Sequence, residues 1–445
     1  MFNKVLVANR GEIAVRIIRA LKELKIDTVA VYSEVDRESL HTKMADEAYC
    51  IGPYKAMESY LNIPSIMSVA EITEVDAIHP GYGFLAENAH FAEVCETTGI
   101  KFIGPTSESI KLMGNKARAR EIMSKSGVSV MPGTEDSLDN IEEAVKIAAQ
   151  IGYPVIIKAS AGGGGKGMRI VKGPETLEKS IQMARSEARA AFEDEAVYME
   201  KYIESPRHVE FQIMADEYGN IVHMGERDCS IQRRYQKVVE ESPSPALTSE
   251  LRAEMGEMAV KAAEAVNYTG AGTVEFLMDE NNNYYFIEMN TRIQVEHTVT
   301  ELVTGIDLVK EQIRVASGEQ LGYTQDDINI NGVAIECRIN AEDYNNNFMP
   351  SPGRIDKYII PGGPGVRIDS GVYPGYYITP YYDSMVAKLV VWAPDRKNAL
   401  NRMERALEEF VIAGVVTTIP FHLKIMSNPY FRNGKFDTHF IEKHF

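Results

Sequence analysis

Residues 288–297 read EMNTRIQVEH. Every second position is polar or charged: Glu288, Asn290, Arg292, Gln294 and Glu296. Between them stand Met289, Ile293 and Val295, with Thr291 the exception. Side chains of an extended chain alternate between faces, so the five polar groups are expected on one side. Two acids, two amides and an arginine on one face suit a site that binds a cation and then an anion. An ordinary wet strand shows the same alternation.

The preceding strand separates the two readings. Residues 272–279 (GTVEFLMD) read as a strand, residues 280–283 (ENNN) as a turn, and Tyr284 opens the next strand, YYFIEMN. A hairpin closed at the asparagines sets Asp279 against Tyr284, and in that register Glu275 lies directly opposite Glu288. Directly opposed side chains have Cβ atoms about 4.5–5.5 Å apart, where like charges repel. A divalent cation between the carboxylates resolves the conflict, with Asn290 as a further oxygen ligand. Few protein oxygens, with the rest from phosphates, is the pattern of Mg²⁺ in nucleotide enzymes. A single protonated glutamate is the metal-free alternative.

A phosphate-binding signal lies upstream. The apolar run 155–157 ends in Lys158 and leads into ASAGGGGKGMRIV, with glycines at 162–165. Consecutive glycines are costly inside a strand or helix, but in a loop they let backbone N–H groups approach an anion. Lys166 is followed by Gly167, and Ser160 stands where a P-loop has its first glycine, so this is not a P-loop. No helix follows, so it is not a dinucleotide fingerprint either. A glycine hairpin between strands suggests a flap over phosphates, with Lys158 reaching beneath it. The plain alternative is a flexible turn beside a snorkelling lysine.

Composition sets the bounds. A chain of 445 residues exceeds one core and implies about three domains. A formal charge of −17 argues against binding nucleic acid or docking on an anionic membrane. Cys50, Cys95, Cys229 and Cys337 are scattered without metal-ligand spacing, as for reduced thiols in a cytoplasm. No apolar run approaches the roughly 20 residues of a membrane span, and the first residues carry Arg10 and Glu12, unlike a signal peptide. Strand, helix and strand are expected at 4–8, 11–25 and 28–32, and again at 77–79, 88–98 and 101–104. That alternation predicts a parallel sheet flanked by helices. One helix is expected over 107–125 and a small lid over about 130–203. From residue 204 strands dominate, and a helix at 396–410 closes the body.

The chain resembles a biotin carboxylase, one of the ATP-grasp enzymes. The likeness runs through NRGEIAVRI (9–17), HPGYGFLAEN (79–88), the glycine loop, ERDCSIQRR (226–234), EMNTRIQVEH, ECRINAED (336–343) and PYYDSMVAKL (380–389), and so covers nearly the whole chain. NTRIQVEH and ECRINAED are its more specific strings. The resemblance implies an α/β ATP-grasp fold. Its parts would be a doubly wound parallel-sheet N-terminal domain (1–114), an ATP-grasp domain (115–317) with a small mobile lid, and an α+β C-terminal domain (318–445). It implies that ATP phosphorylates bicarbonate to carboxyphosphate, whose CO₂ passes to biotin on a separate carrier protein.

The same resemblance implies residue roles. Lys116, Lys158 and the backbone of Gly164 and Gly165 would contact ATP phosphates. Glu200, Lys201, Tyr202 and Ile203 would form the adenine hinge, with His208 and the position of Tyr235 at the ribose. Glu275, Glu288 and Asn290 would hold Mg²⁺ or Mn²⁺. Lys237, Arg292, Gln294 and the backbone of Val295 would bind bicarbonate, with Glu296 as its base. Arg338 would stabilise the biotin enolate.

Each residue also has a plain reading. Arg338 reads as half of a surface Arg–Glu pair, Glu296 as a strand end, His208 as a turn residue and Lys116 as a solvated helix lysine. His79 reads as structural and Cys229 as a buried inert thiol. Two positions depart from the family pattern: Tyr235, where many members have His, and Thr298, where Pro is usual. No lysine is flanked by two methionines, the usual biotin attachment pattern, and no carboxyltransferase segment follows. The expected partners are therefore a biotin carboxyl carrier protein and a carboxyltransferase subunit, with a homodimer as the family expectation. Acetyl-CoA carboxylase is the first choice of parent enzyme and a two-subunit pyruvate carboxylase the second. The remaining readings are another ATP-grasp ligase and a silent nucleotide-binding subunit.

Overall fold

The computed structural model describes residues 1–134, 137–138, 140–159, 168–192 and 195–445. Its N-terminal part is a five-stranded parallel sheet in the order Glu47–Gly52, Asp27–Ser33, Lys4–Val7, Ala77–His79, Lys101–Phe102. The first strand lies in the middle, as in doubly wound sheets, whose ligands gather beyond the strands' carboxyl ends. Two segments that carry the family likeness meet there. Asn9 donates from its amide to the carbonyls of Pro80 and Tyr82, both at 2.7 Å. His79 is buried and accepts from Gly81 N–H at 3.1 Å, so its place is structural.

The expected single helix over 107–125 is two, Ser107–Gly114 and Lys116–Lys125. Asn115 separates them in an extended conformation and caps the second through its side-chain oxygen, on Arg118 N–H at 3.0 Å. Asparagine competes well for that position because it satisfies an orphan N–H of the first turn. Beyond lies a small three-stranded sheet, Arg169–Val171, Val155–Ala159 and Val197–Lys201, backed by the helix Leu177–Phe192. Its core is Val155, Ile157, Val197 and Met199 with Leu177, Ile181 and Ala184.

The body is one eight-stranded sheet. Its order is Tyr284–Asn290, Gly270–Met278, Arg207–Ala215, Ile221–Arg233, Gln236–Ser242, Val333–Asn340, Met385–Ala393, Val366–Ser370. All seven neighbour pairings are antiparallel. One face of its far half, with Ile335, Cys337, Ile339, Leu389 and Val391, packs on the helix Arg396–Glu409. The opposite face carries the polar side chains and faces the short helix His297–Thr304.

Candidate active site

The glutamate hairpin forms, with Glu275 directly opposite Glu288. The turn end differs from the register expected on sequence. Met278, not Asp279, pairs with Tyr284, and a bulge at Ile287 takes up the extra residue before Glu288. Asp279 instead caps the turn, accepting from the backbone of Asn281 and Asn283 at 2.8 and 2.9 Å. That capping is what asparagine-rich turns invite.

The extended run expected over residues 288–297 stops at Asn290. Residues 291–296 turn, and Glu296 becomes the residue before the helix His297–Thr304. The Gln294 carbonyl accepts from both the backbone and the ring of His297, at 3.3 and 2.8 Å, which fixes the turn. Gln294 and Glu296 therefore reach the site by loop geometry rather than by strand alternation. Arg292 is drawn to Glu87, with Nε 2.8 Å from its carboxylate, while one Nη reaches Asn290 Oδ1 at 3.2 Å.

Lys237 stands at the centre, buried among three carboxylates. Its Nζ is 3.0 Å from Glu275 and 2.7 Å from Glu296, and it also binds Glu210. Burial disfavours its charge, but the three carboxylates outweigh burial and raise its pKa well above the ordinary value. Glu275 is pushed up by burial yet ends well below the carboxylate range, because Lys237 and His208 oppose that effect. It also accepts from Asn290 at 2.8 Å and Gln294 at 2.7 Å. Glu296 is pushed up by burial too, and is held low by Lys237, Arg338 and Arg227.

His208 is placed on Glu275, with Nε2 2.8 Å from its carboxylate. Burial lowers its pKa and Glu275 more than restores it. Arg338 does not pair with a surface glutamate. Its guanidinium binds Glu240 and reaches Glu296 at 2.9 Å. The Val295 carbonyl accepts from the buried Lys388 at 2.8 Å. Lys158 binds Glu200, which also pairs with Arg120 at 3.1 Å. Lys201 and Tyr202 anchor their backbone N–H groups on the Pro132 and Pro154 carbonyls, at 2.7 and 3.1 Å. Lys116 is not simply solvated, since its Nζ lies 3.2 Å from Glu288. Gly164 and Gly165, with the rest of the glycine loop, lie outside the described residues.

Tyr235 is exposed at the tip of a two-residue hairpin, and Ile203 follows the last strand of the small sheet. Cys229 is buried, with Sγ 3.9 Å from Glu296, and burial pushes its thiol well up. The donor set fits a hard divalent cation: two opposed carboxylates, of which Glu288 is part-exposed, and an amide beside them.

Four contributors escape sequence reasoning: Glu210, Arg227, Glu240 and Glu87. Arg227 is fully buried and ties Glu210, Gln212, Thr273, Gln294 and Thr300 together at 2.6–3.1 Å. A signal for two of the partners was present. His208, Glu210 and Gln212 alternate through the otherwise apolar run HVEFQIMA (208–215), and polar groups at period two in a buried strand mark a lined site.

A parallel N-terminal sheet, a small lid-like sheet and a long antiparallel sheet carrying opposed glutamates define an ATP-grasp enzyme. Three family descriptions match in succession. They are the biotin carboxylase N-terminal domain over residues 1–110, the ATP-binding domain of the carbamoyl-phosphate synthase L chain over 115–324, and the biotin carboxylase C-terminal domain over 336–443. Biotin carboxylase 1 of Bacillus subtilis is 61% identical over 99% of this chain and 98% of its own length. A pyruvate carboxylase subunit of Methanothermobacter thermautotrophicus is 59% identical over 100% of this chain and 90% of its own length. The biotin carboxylase domain dimer of Hydrogenobacter thermophilus 2-oxoglutarate carboxylase, solved with MgADP, ADP and bicarbonate, superposes with a TM-score of 0.94. It is 56% identical and covers 100% of this chain and 98% of that one. The chain belongs to the biotin carboxylase family and is an ATP-dependent carboxylase.

Proposed function

We propose that this chain carboxylates biotin on a separate carrier protein, using ATP and bicarbonate through carboxyphosphate, as the first half-reaction of acetyl-CoA carboxylase. The observation that carries the reading is the meeting of Glu275, Lys237, Glu296 and Arg338 in one buried network. It joins a nucleotide-metal end to an anion-binding end. A relative named as a pyruvate carboxylase subunit supports a pyruvate carboxylase role as the second reading.

In this reading Lys116, Lys158 and the backbone of Gly164 and Gly165 contact the ATP phosphates. Glu200, Lys201, Tyr202 and Ile203 receive the adenine, and His208 and Tyr235 border the ribose. Glu275, Glu288 and Asn290 hold Mg²⁺, which when bound supplies charge neutralisation at the phosphates. Bicarbonate enters as an anion among Lys237, Arg292, Gln294 and the Val295 backbone. It then competes with Glu296 for Lys237, and with Glu87 for Arg292. Lys237 drawn toward the anion leaves Glu296 less stabilised as an anion and therefore more basic. Glu296 accepts the bicarbonate proton, carboxyphosphate forms, and Arg338 stabilises the biotin enolate as N1′ attacks CO₂. Such transfer rests on positioning and electrostatics.

The proposed division is 1–114, 115–317 and 318–445, in a cytoplasmic homodimer served by a biotin carboxyl carrier protein and a carboxyltransferase. The described residues contain no helix long and apolar enough to cross a membrane. The test is ATP hydrolysis by the purified chain with bicarbonate, with and without free biotin. Stimulation by biotin only when bicarbonate is present supports the reading. Stimulation by biotin without bicarbonate, or none at all, overturns it.

A further inference from the structure

Behind Arg338 lies a pair of acids that the proposed chemistry does not use. Glu240 and Glu336 are direct partners in the antiparallel register and both are fully buried. Directly opposed like charges repel strongly when desolvated. The hydrogen bonding is lopsided in a specific way. Glu240 takes Arg338 Nε on Oε1 at 2.6 Å, and Glu336 takes the Thr298 hydroxyl on Oε2. Oε2 of Glu240 and Oε1 of Glu336 are buried and have no partner among the described residues. Each acid thus offers one satisfied oxygen and one orphan. Two carboxylates in one dry site cannot both ionise cheaply, so the pair is expected to keep one proton near its orphan oxygens.

We propose that Glu240 and Glu336 hold one proton between them and act as positioning residues for Arg338, so that loss of that proton switches off biotin carboxylation on the alkaline side. The proposal rests on the reading of Arg338 as the group that meets biotin.

The charges around the pair support a single negative charge. Glu240 faces Arg338, Glu296 and Lys237, and Glu336 faces Lys388, Arg338 and Glu240. Lys388 is itself shared with Glu12 and Asp369. From the covering helix come Thr298 and His297, the latter kept neutral by burial and by Lys388, Arg16 and Arg367. Burial foremost pushes both Glu240 and Glu336 above the ordinary carboxylate range. With one negative charge, Glu240 holds Arg338 through Oε1, which meets both Nε and Nη2, while Nη2 also reaches Glu296. With two, the pair draws the guanidinium back. The Thr298 hydroxyl donates to Glu336 and steadies its ionised form.

Difference infrared spectroscopy reads the pair without relying on activity. In the whole purified chain near neutral pH, a protonated-carboxyl stretch is expected that titrates away in the alkaline range. A shared proton means that Glu240→Gln and Glu336→Gln each remove the same component. Its absence in the wild type, or its loss in only one variant, overturns the sharing. The role is read from the pH profile of biotin-dependent carboxylation. Glu336→Gln should lose the alkaline limb, and Glu240→Gln should lower kcat about 10- to 100-fold with KM for ATP unmoved. An alkaline limb unchanged in Glu336→Gln overturns control of Arg338 even where the infrared result stands. If a glutamine variant fails to fold, Thr298→Val decides. Loss of the hydroxyl must move both the infrared midpoint and the alkaline limb upward, and no movement overturns the proposal. A wild type with the infrared signature but no biotin-dependent turnover would count against the assigned chemistry and not against the pair.

Discussion

Arg338 Nη2 lies 2.9 Å from Oε2 of Glu296, so the residue assigned to biotin touches the residue assigned to bicarbonate. The two steps proposed for this chain, activation of bicarbonate and carboxylation of biotin, therefore share an ion pair. Arg338→Gln is expected to keep ATP affinity and to slow biotin carboxylation by about 10²-fold or more, as for loss of a positioned charged donor. Steady-state kinetics with free biotin check this, and an unchanged kcat would remove Arg338 from the mechanism.

Glu288 and Lys237 provide a contrast between function and stability. Glu288 is part-exposed and pairs only with the part-exposed Lys116 among the described residues. Glu288→Gln should cost about 0–1 kcal/mol of stability, as surface pairs do, while turnover is lost. Lys158→Gln should likewise lose turnover with the fold intact. Lys237→Met strands three buried carboxylates and should cost about 3–5 kcal/mol. Urea unfolding of the variants separates these outcomes, and equal stability of Lys237→Met and Glu288→Gln would contradict the geometry.

The opposition of Glu275 and Glu288 was legible because a hairpin's register follows from its turn. It survived an error of one residue at the turn because the bulge at Ile287 shifts the strand back. Arg338's face was legible from alternation, but not its partners, which come from a strand nearly 100 residues earlier and from the turn at 296. Alternation also overreached, since nothing in NTRIQVEH marks where strand gives way to turn. The break at Asn115 carried a signal, a capping asparagine, but helical spacing on both sides hid it. Four of the five N-terminal strands were readable as short apolar runs divided by helices, but the edge strand Glu47–Gly52 was not expected, because most of its residues are only half-buried or exposed and give no apolar run.

Acid should destabilise the protein through its buried imidazoles. Burial foremost lowers His41, His223 and His422 to about 4 and His79 to about 3. Between these values and the ordinary 6.5, the unfolded chain binds more protons than the folded one, so stability rises with pH across that window. The contribution is full above pH 6.5 and is lost as pH falls toward 4. Thermal unfolding between pH 7 and 5 should show a falling midpoint, with a smaller fall in His223→Gln.

Tyr235 follows Arg234 in a two-residue hairpin loop, and both have positive φ, 65° and 49°. Type I′ loops favour Asn and Gly at such positions, and bulky side chains there are strained. Tyr235→Asn should therefore raise stability by about 0.5–1 kcal/mol. Denaturant midpoints test this, and destabilisation would show that the exposed ring makes contacts that outweigh its backbone.

The strand bearing Lys237 is hydrogen-bonded along its edge to the strand bearing Arg338. No joint intervenes between the place where carboxyphosphate would break down and the place where biotin would wait. A gas molecule released at one need only drift across a single pleated surface, whose spacing is set by backbone ladders rather than by docking of separate bodies. Relative motion of separate rigid units, which would let CO₂ escape to solvent, has no hinge to act through between these two paired strands.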